Sequence, residues 1–158
     1  FNQWKKVLWL VTLFTLGHSI TLALSAYGIL KIRMDLIEFL IPATIFLTGC
    51  INIITSKKTS YGKENTNLIL ALLFGLIHGL GFSNYFKMMI GKEEDKLFPL
   101  LEFALGIEAA QIIIVLGILV IGSILQNLIN VTKRDWILVT SSIVIGFAIQ
   151  MMIDRVFW

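Results

Sequence analysis

Five apolar runs, each about as long as a bilayer is thick, leave this sequence few ways to fold. They cover about Val7–Ile29, Leu36–Ile54, Leu68–Met89, Pro99–Leu125 and Trp136–Ile153. At a helical rise of 1.5 Å per residue, each crosses a hydrocarbon core of roughly 30 Å. A segment inside lipid must satisfy its own backbone polar groups, so it is either a helix or a strand of a closed barrel. Barrel strands would read as short alternating segments, which these are not. The expected fold is all-α, a polytopic transmembrane bundle with five spans, and the 158 residues form one domain, 1–158. Pro42 and Pro99 are the only prolines, and no Ser/Gly linker, low-complexity tract or repeat marks a boundary. Pro99 suits a first helical turn.

Composition removes the soluble alternatives. Hydrophobic residues make up 57% and charged residues 15% of the chain, and the mean hydropathy is +0.87; a soluble domain carries roughly 45–50% and about 25%. The net charge of +3 does not indicate a nucleic-acid partner, because the basic residues sit in short clusters between the apolar runs, where they anchor helix ends. Lys5, Lys6, Lys57, Lys58, Lys63, Lys133 and Arg134 share the Trp4 side, against Lys31, Arg33, Lys87, Lys92, Lys96 and Arg155 on the other. That small excess places the Trp4 side in the cytoplasm. Cys50, the single cysteine, lies in an apolar run and reads as a small buried hydrophobe. The chain opens with Phe1, and its first run lacks a small-residue cleavage site, so an N-terminal piece is expected to precede it.

Ionisable groups in mid-membrane are costly and mark pathways or sites. His18 lies midway between Lys6 and Lys31, His78 midway between Asn67 and Lys87, and Glu108 twelve residues past Lys96. Gln111 follows Glu108 one helical turn later. Singly, each could be a packing residue bonded to a neighbouring helix. Together, two imidazoles and a carboxylate at matching depth form a set that binds transition metals or relays protons. His18 and His78 are the expected imidazole ligands, and Glu108 compensates charge. They are expected to form one cluster without Lys or Arg, since neither occurs in the middle of any span. Glu38 sits nearer the interface, on the side where Glu102 also enters. Thr15, Ser19, Thr21, Ser83 and Asn84 can supply oxygen ligands or line a polar path. Gly75 and Gly79 form a small-xxx-small face beside His78, followed by Gly81, where another backbone can come close. The Met88–Met89 and Met151–Met152 pairs, near span ends, read as gap-fillers.

At these residues the sequence resembles the HupE/UreJ family of bacterial membrane proteins, in particular its second branch. The matching stretches are Phe14–Leu22, with Gly17, His18, Ser19 and Thr21; Glu38; Gly75–Phe82, with His78 and Gly79; and Phe103–Gln111, with Gly106 and Glu108. The similarity covers the first four spans, and the fifth agrees only in character. The resemblance implies transition-metal handling, as a nickel permease or a hydrogenase or urease accessory protein in the bacterial inner membrane. It carries His18, Glu38, His78, Glu108 and Gln111 over as the family's polar positions. It also implies a further N-terminal helix with His and an Asp–His pair, so six spans at full length.

The expected function is therefore a transition-metal permease or metal-delivery protein rather than an enzyme. Ni²⁺ is the metal the family implies, and nitrogen and oxygen ligands also admit Zn or Cu. The expected partners are membrane lipid, the metal ion and a larger membrane complex. One rival is an intramembrane hydrolase acting on a lipid or amide through a His-held Zn²⁺, with Glu108 as base and Ser19 polarising the substrate. The other is a scaffold subunit, which asks for no cavity around His78.

Overall fold

The computed structural model describes residues 2–56, 64–91, 95–128 and 130–156. Lys57, Lys58, Lys63 and Lys92, counted above among the flanking cations, lie outside the described residues. Five helices follow in order: α1 (Asn2–Ala26), α2 (Met34–Thr55), α3 (Glu64–Ile90), α4 (Leu97–Leu128) and α5 (Lys133–Asp154). All five are long and apolar enough to cross a membrane, and no strand occurs among the described residues.

The helix ends show where local chemistry overrides hydropathy. The first apolar run continues to Ile29, yet α1 stops at Ala26, because Gly28 adopts a left-handed φ of +76°. The Gly28 amide then donates to Ser25 O (3.0 Å) and the Ile29 amide to Leu24 O (2.9 Å), the paired bonds of a Schellman end. Gly91, at φ +56°, follows the end of α3. At the start of α5, Thr132 Oγ1 accepts from the Asp135 amide (3.1 Å) and donates to the Asp135 carboxylate (2.7 Å). That cap begins the helix three residues before the apolar run does. With 32 residues, α4 is about 48 Å long, more than a hydrocarbon core, so it tilts or protrudes.

The packing order differs from the chain order. α1 packs on α3 and α4, and α2 packs on α3 and α5, giving the sequence α4, α1, α3, α2, α5. The ends of this arc meet where the Trp136 indole lies against Gly122. α1 and α3 run parallel and nearly in backbone contact: a methyl group on Gly75 would strike the Phe14 carbonyl, one on Gly79 the His18 carbonyl and Thr21 Oγ1, and one on Gly17 the Leu72 carbonyl. Gly75 and Gly79 thus act as their spacing predicts, and Gly81 faces Ile41 of α2. Thr21 adds a hydrogen bond from its hydroxyl to Leu76 O (2.7 Å). Beyond this seam, Leu22, Ala26, Phe86, Ile90 and Leu100 form a buried apolar cluster in the half of the bundle away from Trp4.

The methionine pairs divide. Met151 and Met152 are half-buried, but Met88 and Met89 are exposed and fill no gap in this chain. Cys50 is half-buried.

Candidate metal-handling site

The parallel register of α1 and α3 sets both histidines at one depth, since Gly75 meets Phe14 and Gly79 meets His18. His18 is 2% exposed, and neither ring nitrogen has a hydrogen-bond partner. Its neighbours are aromatic: the rings of Phe82, Phe103 and Phe14 lie 5.5, 6.1 and 6.3 Å away between centroids. A buried polar atom without a partner is rare, because its desolvation goes uncompensated. The neutral imidazole carries one donor and one acceptor, so His18 holds a lone pair inside the bundle that no protein group uses.

His78 is held differently. Its Nδ1 lies 2.8 Å from the Phe74 carbonyl, and a carbonyl only accepts, so Nδ1 carries the proton and donates. The lone pair is therefore on Nε2. An imidazole whose second nitrogen is tied to a backbone carbonyl is oriented as metal-ligating histidines are. The Phe14 ring packs on His78 edge-on at 5.1 Å, so one phenyl group touches both imidazoles.

Glu108 does not join them. Thr12 Oγ1 donates to its carboxylate (2.9 Å), and Thr15 Oγ1 donates to Gln111 Oε1 (3.1 Å). Thr12 precedes His18 by six residues, which is about 9 Å along α1. Among the described residues, no three His, Cys, Asp or Glu side chains come together to hold a metal. The single cluster of His18, His78 and Glu108 expected from depth alone is thus replaced by a histidine pair and a separate oxygen-rich seam between α1 and α4. The cause is the register of α4, which sets Phe103 opposite His18 and carries Glu108 toward the Trp4 side.

Two cavities occupy the concave side of the helix arc. One, of about 480 Å³, lies among α1, α2, α3 and α4 and reaches Asn52 and Asn67 toward the Trp4 side, with Thr48 and Gln111 in its wall. The other, of about 390 Å³, is walled by residues of all five helices and includes His78, Thr44, Thr140 and Ser141. Phe14, Thr48, Asn52 and Phe74 line both. His78 therefore faces open space, whereas His18 lines neither cavity.

The remaining expected residues are dispersed. Ser19 is half-buried, Glu38 and Asn84 are exposed, and none of the three lines either cavity. Thr15, Thr21 and Ser83 are buried, and Ser83 bonds back to Leu80 O (2.7 Å). On the side away from Trp4, Lys87 Nζ donates to Ser25 Oγ (3.2 Å) and Lys96 Nζ to Ala26 O (2.9 Å) at the end of α1. Sequence reasoning missed Thr12, the phenyl rings around His18, and the threonines and asparagines of the cavity wall.

The profile of a known family, described as HupE / UreJ protein, matches residues 1–155. The chain belongs to the HupE/UreJ family. The match extends through α5, so the similarity is wider than the four spans in which its motifs are recognisable by eye. Comparison with curated proteins and with solved structures finds no match. The structure adds five helices long and apolar enough to cross a membrane, with His18 and His78 in the interiors of α1 and α3.

Proposed function

We propose that this chain is a transition-metal permease of the bacterial inner membrane, with Ni²⁺ as the cargo its family suggests. The observation that carries the reading is His18, a buried imidazole with two unpartnered nitrogens beside a second imidazole whose tautomer leaves Nε2 open. Neutral imidazole nitrogen is a preferred donor for Ni, Zn and Cu, and Zn or Cu is the alternative cargo. Two successive single-imidazole contacts bind an ion modestly, which suits a protein that must release what it captures.

The rest of the cleft supports this use. Asn67, Asn52, Thr48 and Gln111 offer oxygen to an ion arriving from the Trp4 side, taken here as cytoplasmic. Glu108, a turn and a half from His18, supplies negative charge without a Lys or Arg partner among its described hydrogen bonds. The exposed Glu38 and Asn84 and the half-buried Ser19 line neither cavity and have secondary parts in this scheme. Beyond the histidines, the Leu22–Phe86–Leu100 cluster fills the far half of the bundle, which suits a permease closed on that side.

The hydrolase alternative draws less support. A catalytic zinc site takes three protein ligands and an open position, and the described residues do not bring three together. A scaffold role does not account for the cavity that reaches His78. The test is radiolabelled Ni²⁺ uptake into vesicles holding the full-length protein, compared with a His18→Ala, His78→Ala double variant. Uptake should fall to the level of protein-free vesicles, and uptake equal to that of the unaltered protein rejects the permease reading.

A further inference from the structure

We infer that the two histidines are successive stations separated by a gate, and that the gate is the Phe14 side chain. Three observations place it. His78 lines the 390 Å³ cavity, His18 lines neither cavity, and Phe14 lines both while its ring touches both imidazoles at 5.1 and 6.3 Å. The phenyl group is therefore wall and contact at once. Anything moving from His78 to the lone pair of His18 meets it first.

The helix frame dictates how such a gate moves. Gly75 packs so closely on Phe14 that an added Cβ would lie 3.0 Å from its Cα and run into its carbonyl, which fixes the backbone of α1 there. Only the side chain remains free. In a helix a phenylalanine chooses between two χ1 wells, near 180° and −60°, which is enough to swing the ring along the helix without disturbing the seam. The cavity side provides room for that swing, while Phe82 and Phe103 enclose His18 on its other sides. In the closed position an apolar ring excludes water from His18, and a phenyl face still tolerates a passing cation through its quadrupole.

The cargo in this proposal rests on the permease reading; the gate itself does not, and its test needs no metal. With Cys50→Ala removing the native thiol, His78→Cys and His18→Cys are made separately in the full chain. Each is reconstituted in nanodiscs, which expose both faces, and labelled with a small water-soluble methanethiosulfonate. The thiol introduced by His78→Cys should react at the same rate whether position 14 is Phe or Ala, which also reports an intact cleft. The thiol introduced by His18→Cys should react slowly behind Phe14 and at least about tenfold faster when Phe14→Ala is added, because access then no longer waits for the ring to open. If Phe14→Ala changes the His78→Cys rate, the comparison is made with Phe14→Leu, which keeps the position apolar. Equal rates for His18→Cys with and without the ring overturn the gate. Gated labelling, where the unaltered protein takes up no Ni²⁺, overturns the permease and leaves the gate; ungated labelling, where the unaltered protein does take it up, does the reverse.

Discussion

The seam between α1 and α3 and the cleft beside it are built from the same apolar vocabulary, yet they are opposite in character. In the seam three glycines bring backbone against backbone, and a threonine ties the helices with a hydrogen bond. In the cleft, α2, α4 and α5 stand back and leave two cavities whose mostly apolar walls carry a few threonines, asparagines and a glutamine. Lipid tails are as apolar as leucine, so helices in a membrane gain from close van der Waals fit rather than from leaving water. Fit is concentrated where the histidines are mounted, and space is left where a solute would move. Rigidity and access are thus assigned to different helix pairs.

The strongest way to break that contrast is to put a side chain into the seam. Gly79→Val would drive a branched side chain into the His18 carbonyl and Thr21 Oγ1, and Gly75→Val would do the same to the Phe14 backbone. Backbone cannot yield as a flexible side chain can, so the cost exceeds the usual 1–3 kcal/mol or so of overpacking. Neither variant should give a monodisperse protein in mild detergent. Gly117→Val, where a Cβ meets nothing within 4 Å, should be extracted like the unaltered chain. Equal yields of Gly79→Val and Gly117→Val would show that the seam is not the frame.

A smaller effect separates stability from transport. Thr21→Val removes the hydrogen bond to Leu76 O and should lower thermal stability by roughly 0.6 kcal/mol, the average for such bonds in membranes. Thr48 bonds to Thr44 O within its own helix and lines both cavities. Thr48→Val should leave stability within about 0.5 kcal/mol and lower Ni²⁺ uptake. A thermal melt and an uptake assay on both variants would sharpen the comparison, and a Thr48→Val that loses stability but not uptake would reverse it.

What could be read from the sequence followed from symmetry about each span. Counting residues from the flanking polar groups located His18 and His78 at one depth, and the spacing of Gly75 and Gly79 announced a close approach. The same counting failed for Glu108, because α4 is longer than the membrane is thick and its register is not fixed by its ends. Packing against α1 sets it instead, at Thr12. The cavity wall was hidden for another reason. Thr48 and Thr140 satisfy their hydroxyls on their own helix, at Thr44 O and Trp136 O, so on the page they are ordinary helix residues, and only the packing order of α2 and α5 makes them lining. Phe14, Phe82 and Phe103 each stand at the end of a stretch that resembles the family, but in an apolar chain with 11 phenylalanines nothing marked these three as the rings that meet at His18.

The least change is expected at Gly106, and it bears on the outer wall of the comparison. Gly106 lies in the Phe103–Gln111 stretch that resembles the family, between the ring against His18 and the carboxylate at Thr12. Yet a Cβ there meets nothing within 4 Å, unlike the glycines of the seam. Its φ is not in the left-handed region, which among described glycines is occupied by Gly28 and Gly91 alone. Neither close contact nor backbone strain therefore demands glycine, and Gly→Ala inside a helix removes a conformational cost of up to about 1 kcal/mol. Gly106→Ala should be as stable as the unaltered protein or slightly more so, with Ni²⁺ uptake unchanged. A marked loss of either would mean that the face of α4 carrying Gly106 is packed against something beyond these five helices, and that face would then be a contact surface rather than a lipid-facing wall.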